Sequence, residues 1–215
     1  MMAEFQKTPN RLYQYSIDRE YAIRNLIIPS PYFIGRKNGF SEAALIKFDI
    51  GDCLDDTAFM FGRACSPIYN EDYKFVGMAG RSMDDSAPKW KYDSIIEKGQ
   101  HLYGLNLAMD AIRDSGVVIL VEGQGNVWRL WEAGYFNSVG IMGSALTEFQ
   151  LILLEMSGCT TVVIMTDMDS AGRKAVSQIK AMCGRRFNYI VPEMIYNDPA
   201  DHMAGELQEL LKGII

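Results

Sequence analysis

Two stretches, VVILVEGQGN (residues 117–126) and TVVIMTDMDSAGRKA (residues 161–175), decide how this chain is read. Each opens as a short continuous apolar run, Val117–Val121 and Thr161–Thr166, as a strand buried on both faces requires. Each run ends in carboxylates: Glu122 after the first, Asp167 and Asp169 after the second. In a parallel sheet these ends share one edge, where open α/β folds bind their ligands. Alternate residues of an extended chain point the same way, which sets Asp167 and Asp169 about 7 Å apart on one side if the strand persists. Carboxylates with no His or Cys beside them suit a hard, oxygen-preferring cation such as Mg²⁺. An isolated D-x-D is more often a solvated turn in which Asp169 or Ser170 caps the next helix. A second acidic strand end shifts the reading towards metal-dependent phosphoryl chemistry.

Working outward, the second half alternates strand and helix. Asn126 is expected to cap a helix carrying Val127, Leu130 and Trp131 on one face and stopping near Gly134. Ser138–Met142 is the next strand. Thr147 and Gln150 form a T-x-x-Q capping box for a helix ending near Gly158. Residues 170–183 make an amphipathic helix with Ala171, Ala175, Val176, Ile179 and Met182 inward. A last strand at Tyr189–Met194 and a closing helix at Ala204–Lys212 follow. The fold class is α/β, a parallel right-handed sheet between layers of helices. The first half is less regular, a smaller mixed α+β subdomain. Residues 1–60 read as mainly helical with a turn at Pro29-Ser30-Pro31. Residues 61–94 mix short strands with turns at Asn70–Asp72 and Asp84–Ala87. Leu105–Arg113 reads as a helix ended by Gly116. The change of pattern places two domains at residues 1–115 and 116–215.

The bulk properties allow this chemistry. A 215-residue chain with 48% hydrophobic and 22% charged residues has an ordinary core. No apolar run approaches the ~18 residues of a membrane span, and MMAEFQKTPN lacks the hydrophobic stretch of a signal peptide. A soluble, cytoplasmic protein with no membrane partner is expected. Cys53, Cys65, Cys159 and Cys183, with His101 and His202, offer no zinc-module spacing, so no zinc is expected and the thiols read as reduced and buried. The net charge of −6 lowers the expected affinity for nucleic acid. Exposed charges more than ~8 Å apart are largely screened, so a local basic groove can still act on its own. Trp90, Trp128 and Trp131 read as core before they read as base-stacking platforms.

The pattern V-E-G-x-x-(D/N)-V followed by x-D-x-D-x-A-G-R-x-A resembles the Toprim domain, from about Val117 to the end of the chain. That resemblance implies a Toprim-type parallel sheet flanked by helices. It makes Glu122, Asp167 and Asp169 catalytic and metal-managing, with Mg²⁺ or Mn²⁺ as cofactor. Asp198-Pro199-Ala200-Asp201 resembles the D-P-D of Toprim primases: Asp198 matches as a further metal contributor, and Ala200 replaces the second acid. Asn126 stands where primases usually have aspartate. Upstream, Arg63-Ala-Cys-Ser-Pro-Ile-Tyr, Gly77-Met-Ala-Gly-Arg81, Pro88-Lys89-Trp90 and Lys98-Gly-Gln-His-Leu-Tyr-Gly-Leu105 follow in order. Together they resemble the RNA-polymerase core of bacterial-type (DnaG-like) primases, including phage-encoded ones, over roughly residues 60–205.

By that resemblance Arg63, Arg81, Lys89 and Lys98 would hold nucleotide phosphates and template. Arg173, one helical turn past Asp169, would reach a phosphate or pair with an acid. The implied function is DNA-templated synthesis of short RNA primers by metal-dependent nucleotidyl transfer during DNA replication. The implied partners are single-stranded DNA template and NTPs. The family's zinc-binding module and helicase-contacting tail have no counterpart here. A replicative helicase and a zinc-binding template-recognition subunit acting in trans are therefore further expected partners, unless the chain is a minimal phage or plasmid core. Two rival readings use the same residues: a Toprim-type metal-dependent nuclease, and a non-catalytic nucleic-acid-binding component of a split primase.

Overall fold

A computed structural model describes residues 18–184 and 186–215, so the helical expectation for residues 1–17 lies outside the described chain. Contacts divide the protein into two compact units, the first ending at Ile96 and the second beginning at Glu97.

The first unit is built on an antiparallel meander of five strands in sequence order: β1 (Leu26–Ile27), β2 (Gly51–Cys53), β3 (Arg63–Tyr69), β4 (Phe75–Ser82) and β5 (Trp90–Tyr92). Its turns are closed by short polar side chains. Asn70 Oδ1 accepts the backbone N–H groups of Asp72 (3.0 Å) and Lys74 (2.9 Å) between β3 and β4. Asp84 Oδ1 accepts the Ser82 hydroxyl (2.6 Å) and the Ser86 N–H (3.0 Å) before β5. Such Asx turns compete well with regular structure. Residues 18–23 are helical, and two short helices, α1 (Pro31–Ile34) and α2 (Glu42–Lys47), open on Ser30 and Ser41, whose hydroxyls accept Phe33 N–H and Ala44 N–H. The expectation that this region is mainly helical needs correcting. Leu26–Ile27 and Gly51–Cys53 pair instead as short antiparallel strands, Leu26 opposite Cys53 and Ile27 opposite Asp52. Beneath the sheet, Cys53, Met60, Cys65 and Met78 form a buried cluster with Leu26, Ala58 and Phe75 against it.

The second unit contains a four-stranded parallel sheet in the order β7-β6-β8-β9, with β6 at Val117–Val121, β7 at Ser138–Gly140, β8 at Thr161–Met165 and β9 at Asn188–Ile190. Its helices are α3 (Leu105–Ser115), α4 (Gln124–Glu132), α5 (Glu148–Ser157), α6 (Ser170–Cys183) and α7 (Ala204–Leu211). Strand alternation explains why both faces are covered. Val118, Leu120, Val162 and Ile164 share one core with Ile112 of α3, Leu154 of α5, and Ala175 and Ile179 of α6. Ile119, Val121, Val163 and Met165 are equally buried, and alternation turns them to the opposite face. Right-handed crossovers put α4, which runs from β6 out to β7, on that opposite face, because α5 and α6 run back the other way. There α4 packs with α7. Because α3 contributes Leu105, Ala108 and Ile112 to the second unit's core, the change of sequence pattern near residue 115 and the contact division at Ile96 fall on either side of that helix.

Local signals set the helix ends. Thr147 and Gln150 cap α5 reciprocally: Gln150 N–H donates to Thr147 Oγ1 at 3.2 Å, and Thr147 N–H donates to Gln150 Oε1 at 3.1 Å. Gly158, at φ 83°, closes the helix in the left-handed region that favours glycine. Helix α6 has the expected span, but its buried face is Gly172, Ala175, Ile179 and Cys183, and Ala171 is exposed. Helix α4 begins earlier than expected, with Gly123 at its N-cap and Asn126 as its third residue. Its buried face is Val127, Trp128 and Leu130, and Trp131 is half-buried. Trp128 is fully buried, donating its indole N–H to Tyr103 Oη at 2.8 Å. Strand β7 stops at Gly140, although Ile141 N–H and Met142 N–H still donate to Val121 O and Glu122 O, because Met142 turns away at φ 54°. Strand β9 stops at Ile190, two residues before Pro192, which has no N–H for a ladder. All four cysteines are free and buried. Among the described residues, no helix is long and apolar enough to cross a membrane.

Candidate active site

The acids of interest sit where the parallel sheet changes direction. Strands β6 and β8 are neighbours in register, Val121 beside Met165. The chain leaving β6 heads for β7 on one side, and the chain leaving β8 heads for β9 on the other. Divergence of this kind opens a crevice at the carboxyl ends of the two strands. Glu122 and Asp167 leave the sheet at that point, tied together by Asp167 N–H donating to Glu122 Oε1 at 3.2 Å.

Strand alternation does not place Asp167 and Asp169, because β8 ends at Met165; the opening turn of α6 does. Asp169 caps α6, its Oδ1 accepting Gly172 N–H at 2.8 Å, so the capping role weighed for it is real and fixes its carboxylate beside Asp167. Gly172 is what permits this. A Cβ there would lie 1.7 Å from the Asp167 carbonyl oxygen, so only glycine lets the helix press against the loop. Thr166 Oγ1 donates to Gly172 O at 3.1 Å and closes the same turn. The Arg173 guanidinium donates to the Met168 carbonyl, bracing the loop from outside.

A fourth acid comes from a distant segment. Met168 N–H donates to Asn197 O at 2.7 Å, which draws the chain before Asp198 to the D-x-D loop. Asp198 Oδ1 accepts from Asn126 Nδ2 (2.6 Å) and from Ala200 N–H (2.8 Å). Asn126 Oδ1 in turn accepts Gly123 N–H at 3.2 Å, so one carboxamide links the start of α4 to Asp198. Arg129 is buried, paired with Glu132 at 2.5 Å, and its Nε donates to Ala200 O at 3.4 Å. His202 is also buried. Its Nε2 accepts Tyr196 N–H at 3.3 Å, which leaves Nδ1–H to face Asp198 O at 3.2 Å. Arg129 and His202 were not singled out from sequence as site residues. The i,i+3 Arg129–Glu132 spacing was the only local signal, and neither residue's link to the 198–202 turn can be seen without the fold.

Electrostatics mark the crevice as strongly negative. Burial pushes the Asp167 carboxyl up to about 7, and Asp198, Glu122, Asp169 and Asp201 push it in the same direction. Burial also raises Glu122; the Asp167 N–H opposes this, and Asp169 and Asp198 add to it. Like charges held this way favour either a shared proton or a cation. The donors are all carboxylate oxygens, the set chosen by hard divalent ions over zinc. Among the described residues, no three His, Cys, Asp or Glu side chains are already drawn around one point tightly enough to hold an ion.

The structure thus brings together Glu122, Asp167, Asp169 and Asp198, with Arg173 alongside. The other basic candidates lie on other elements. Lys98 lies in the second unit on a 3₁₀ turn at Lys98–Gln100, which is docked to α5 through Gln150 Nε2 to Lys98 O (3.3 Å) and through the Thr147 hydroxyl to Gly99 O (2.5 Å). The remaining three belong to the first unit. Arg63 Nη1 donates to Gly80 O (3.1 Å) and Pro88 O (3.0 Å). Arg81 Nε donates to Tyr32 Oη at 3.0 Å. Lys89 is exposed beside Trp90.

Residues 116–190 match the family model of the Toprim domain, which implies a divalent metal. The DNA primase of Deinococcus radiodurans is 33% identical over 193 residues, covering 84% of this chain and 34% of that protein. The chain therefore spans about a third of the length of the curated relatives it matches. Among solved structures, the Aquifex aeolicus primase comprising zinc-binding and RNA polymerase domains superposes with a TM-score of 0.75 at 23% identity, over 94% of this chain and 61% of that one. A DnaG primase catalytic domain bound to single-stranded DNA superposes with a TM-score of 0.73 at 18% identity, over 96% of this chain and 80% of that one. At these identities the superpositions establish the fold: an antiparallel sheet followed by a four-stranded parallel sheet with helices.

Proposed function

Since the chain carries a Toprim domain and is homologous to the RNA polymerase domain of bacterial DnaG primases, we propose that it is a primase catalytic core that makes short RNA primers on a DNA template. The observation that carries this reading is the meeting of Glu122 and Asp167 at the sheet's switch point, with Asp169 and Asp198 tied to the same loop. In this reading Glu122, Asp167, Asp169 and Asp198 are the residues that hold Mg²⁺ (or Mn²⁺). Held by these residues, such an ion would supply charge neutralisation for the triphosphate and a lowered pKa for the attacking 3′-hydroxyl.

The chain's own residues do the rest. Asp167 N–H orients Glu122, the half-buried acid best placed to take the proton of the incoming hydroxyl. Asp169, locked as a helix cap, fixes the D-x-D loop. Asn126 and His202 hold Asp198 in place. Arg173 stands at the rim for a phosphate, and Arg63, Arg81, Lys89 and Lys98 supply positive charge for nucleotide and template without reading sequence. The substrates are single-stranded DNA template and NTPs in the cytoplasm, with a replicative helicase and a zinc-binding template reader as outside partners.

The test incubates the protein with single-stranded template, labelled NTPs and a divalent ion. Short RNA products that vanish in Asp167→Asn support the proposal. Template degradation without synthesis points to a nuclease, and neither activity points to a binding component.

A further inference from the structure

Gln150 is fully buried, and its carboxamide does more than cap α5. Its Oε1 takes the Thr147 N–H of the capping box at 3.1 Å, which leaves the two protons of Nε2 to be placed. They go to His101 O at 2.8 Å and Ile141 O at 2.9 Å, with Lys98 O farther off at 3.3 Å. Each acceptor around Nε2 is a backbone carbonyl, so turning the amide round would set oxygen against oxygen.

The bond to Ile141 reaches further than one residue. Ile141 C=O and Met142 N–H belong to one planar peptide, and their polar groups point opposite ways. On one side the carbonyl receives Gln150. On the other side the N–H donates to Glu122 O at 2.8 Å. Gln150 is therefore one peptide away from the backbone of Glu122. Just past that peptide the chain turns at Met142 with φ 54°, a left-handed conformation that a side-chain-bearing residue keeps only where its surroundings enforce it. Ile141 N–H holds Val121 O at 2.9 Å, so the exit of β7 is fixed to the exit of β6 where Glu122 leaves the sheet. The other proton of the amide fixes a second segment. His101 lies two residues before Tyr103, whose N–H donates to Gly140 O at 2.8 Å and whose carbonyl accepts Gly140 N–H at 3.0 Å. His101 N–H also closes the turn that carries Lys98, on Lys98 O at 3.2 Å.

We propose that Gln150 is a positioning residue of the active site: it sets the 141–142 peptide plane and, through it, the place from which Glu122 faces the crevice. A helix cap needs only the Oε1 of this side chain, and the capping role leaves both Nε2 bonds unexplained. The proposal rests on the reading of Glu122 as a metal-holding acid.

The test measures Mn²⁺ affinity of the full chain by electron paramagnetic resonance, well below the melting temperature of each variant. Gln150→Ala leaves room for a water, which can bond both carbonyls but does not anchor them to α5. Gln150→Met keeps the shape and lacks the donors, giving a second route to a folded chain. Ser157→Ala, at the other end of α5, is the structural control, since its buried hydroxyl bonds Leu154 O and Cys159 N–H. Both Gln150 variants should bind Mn²⁺ roughly tenfold more weakly than wild type. Ser157→Ala should melt lower and bind Mn²⁺ as wild type does. Wild-type affinity in the Gln150 variants, or an equal loss in Ser157→Ala, overturns the proposal. A wild-type protein whose Mn²⁺ site depends on Gln150 yet which makes no RNA would instead overturn the polymerase reading and leave Gln150 in this role.

Discussion

The two sheets treat charge in opposite ways. At the carboxyl edge of the parallel sheet, Glu122, Asp167, Asp169 and Asp198 gather with mainly amide and backbone donors around them, and their mutual repulsion helps lift Asp167 to about 7. On the antiparallel sheet the cations are already tethered to neutral acceptors: Arg63 to carbonyls, Arg81 to a phenol, Lys91 to Phe59 O at 3.1 Å. An acidic cluster under strain costs stability and is worth keeping only if a cation relieves it. Tethered arginines cost little and present their remaining N–H groups in fixed directions. In the proposed reading one sheet receives a metal ion and the other receives phosphate.

The comparison breaks most readily at the acidic edge. Gly172→Ala forces a methyl group into the Asp167 carbonyl and should displace the D-x-D loop. A shift of about 1 Å at a reacting centre can lower turnover on the order of 10²-fold, so primer synthesis should fall by that much. Binding of a single strand, read by anisotropy, should stay near wild type. Equal losses in both assays would mean that the two sheets are not separate in function.

Asn126 offers a narrower test. Asn126→Ala leaves Asp198 with only the Ala200 N–H as donor and should lower divalent-ion affinity roughly 10- to 100-fold, as loss of a ligand's supporting hydrogen bond does. Asn126→Asp puts a carboxylate against Asp198 instead. It should lower the metal-free melting temperature and enlarge the rise produced by added Mn²⁺, both read by calorimetry. A metal-free melting temperature equal to wild type would show that Asn126 does not bear on Asp198.

On the antiparallel sheet, Arg63→Ala removes a partner from two carbonyls and should cost about 1–3 kcal/mol, measured by urea unfolding. Full stability in this variant would show that the Gly80 and Pro88 carbonyls do not depend on Arg63.

How much of this was legible in the sequence depended on distance along the chain. Strands β6 and β8, the span of α6, the Thr147–Gln150 cap and the Gly158 stop are local, and period and capping chemistry carried them. Ala171 was placed inward by helical period, but the Asp167 carbonyl claims that side for Gly172 and turns Ala171 to solvent. Asn126 looked like a cap because Asn favours that position. The actual cap, Gly123, has no side chain to announce itself, and Asn126 serves from inside the helix. The three acids at the strand ends were legible as a set, and Asp198 through its match to the D-P-D acids. The bonds that place Asp198 could not be read, because Asn126 lies 72 residues away and the link from Met168 to Asn197 is made by backbone.

The smallest expected effect is on pH dependence. Asp167 is raised from 3.8 to about 7 in the folded chain, so between those values the folded protein keeps a proton that the unfolded chain has released. Metal-free stability should therefore fall as pH rises through that window, lowering the melting temperature on the order of 5 °C between pH 5 and pH 8. Asp167→Asn should flatten this slope, and so should saturating divalent ion. A slope unchanged by both would mean that burial and the neighbouring acids do not raise Asp167 in the folded chain.

The most direct measurement is a Mn²⁺ titration followed by electron paramagnetic resonance on wild type, Glu122→Gln and Asp167→Asn. These residues leave different strands, so a single site at the switch point requires both. Each variant should bind Mn²⁺ at least about tenfold more weakly than wild type. Wild-type affinity in either one would contradict a site shared between the two strand ends.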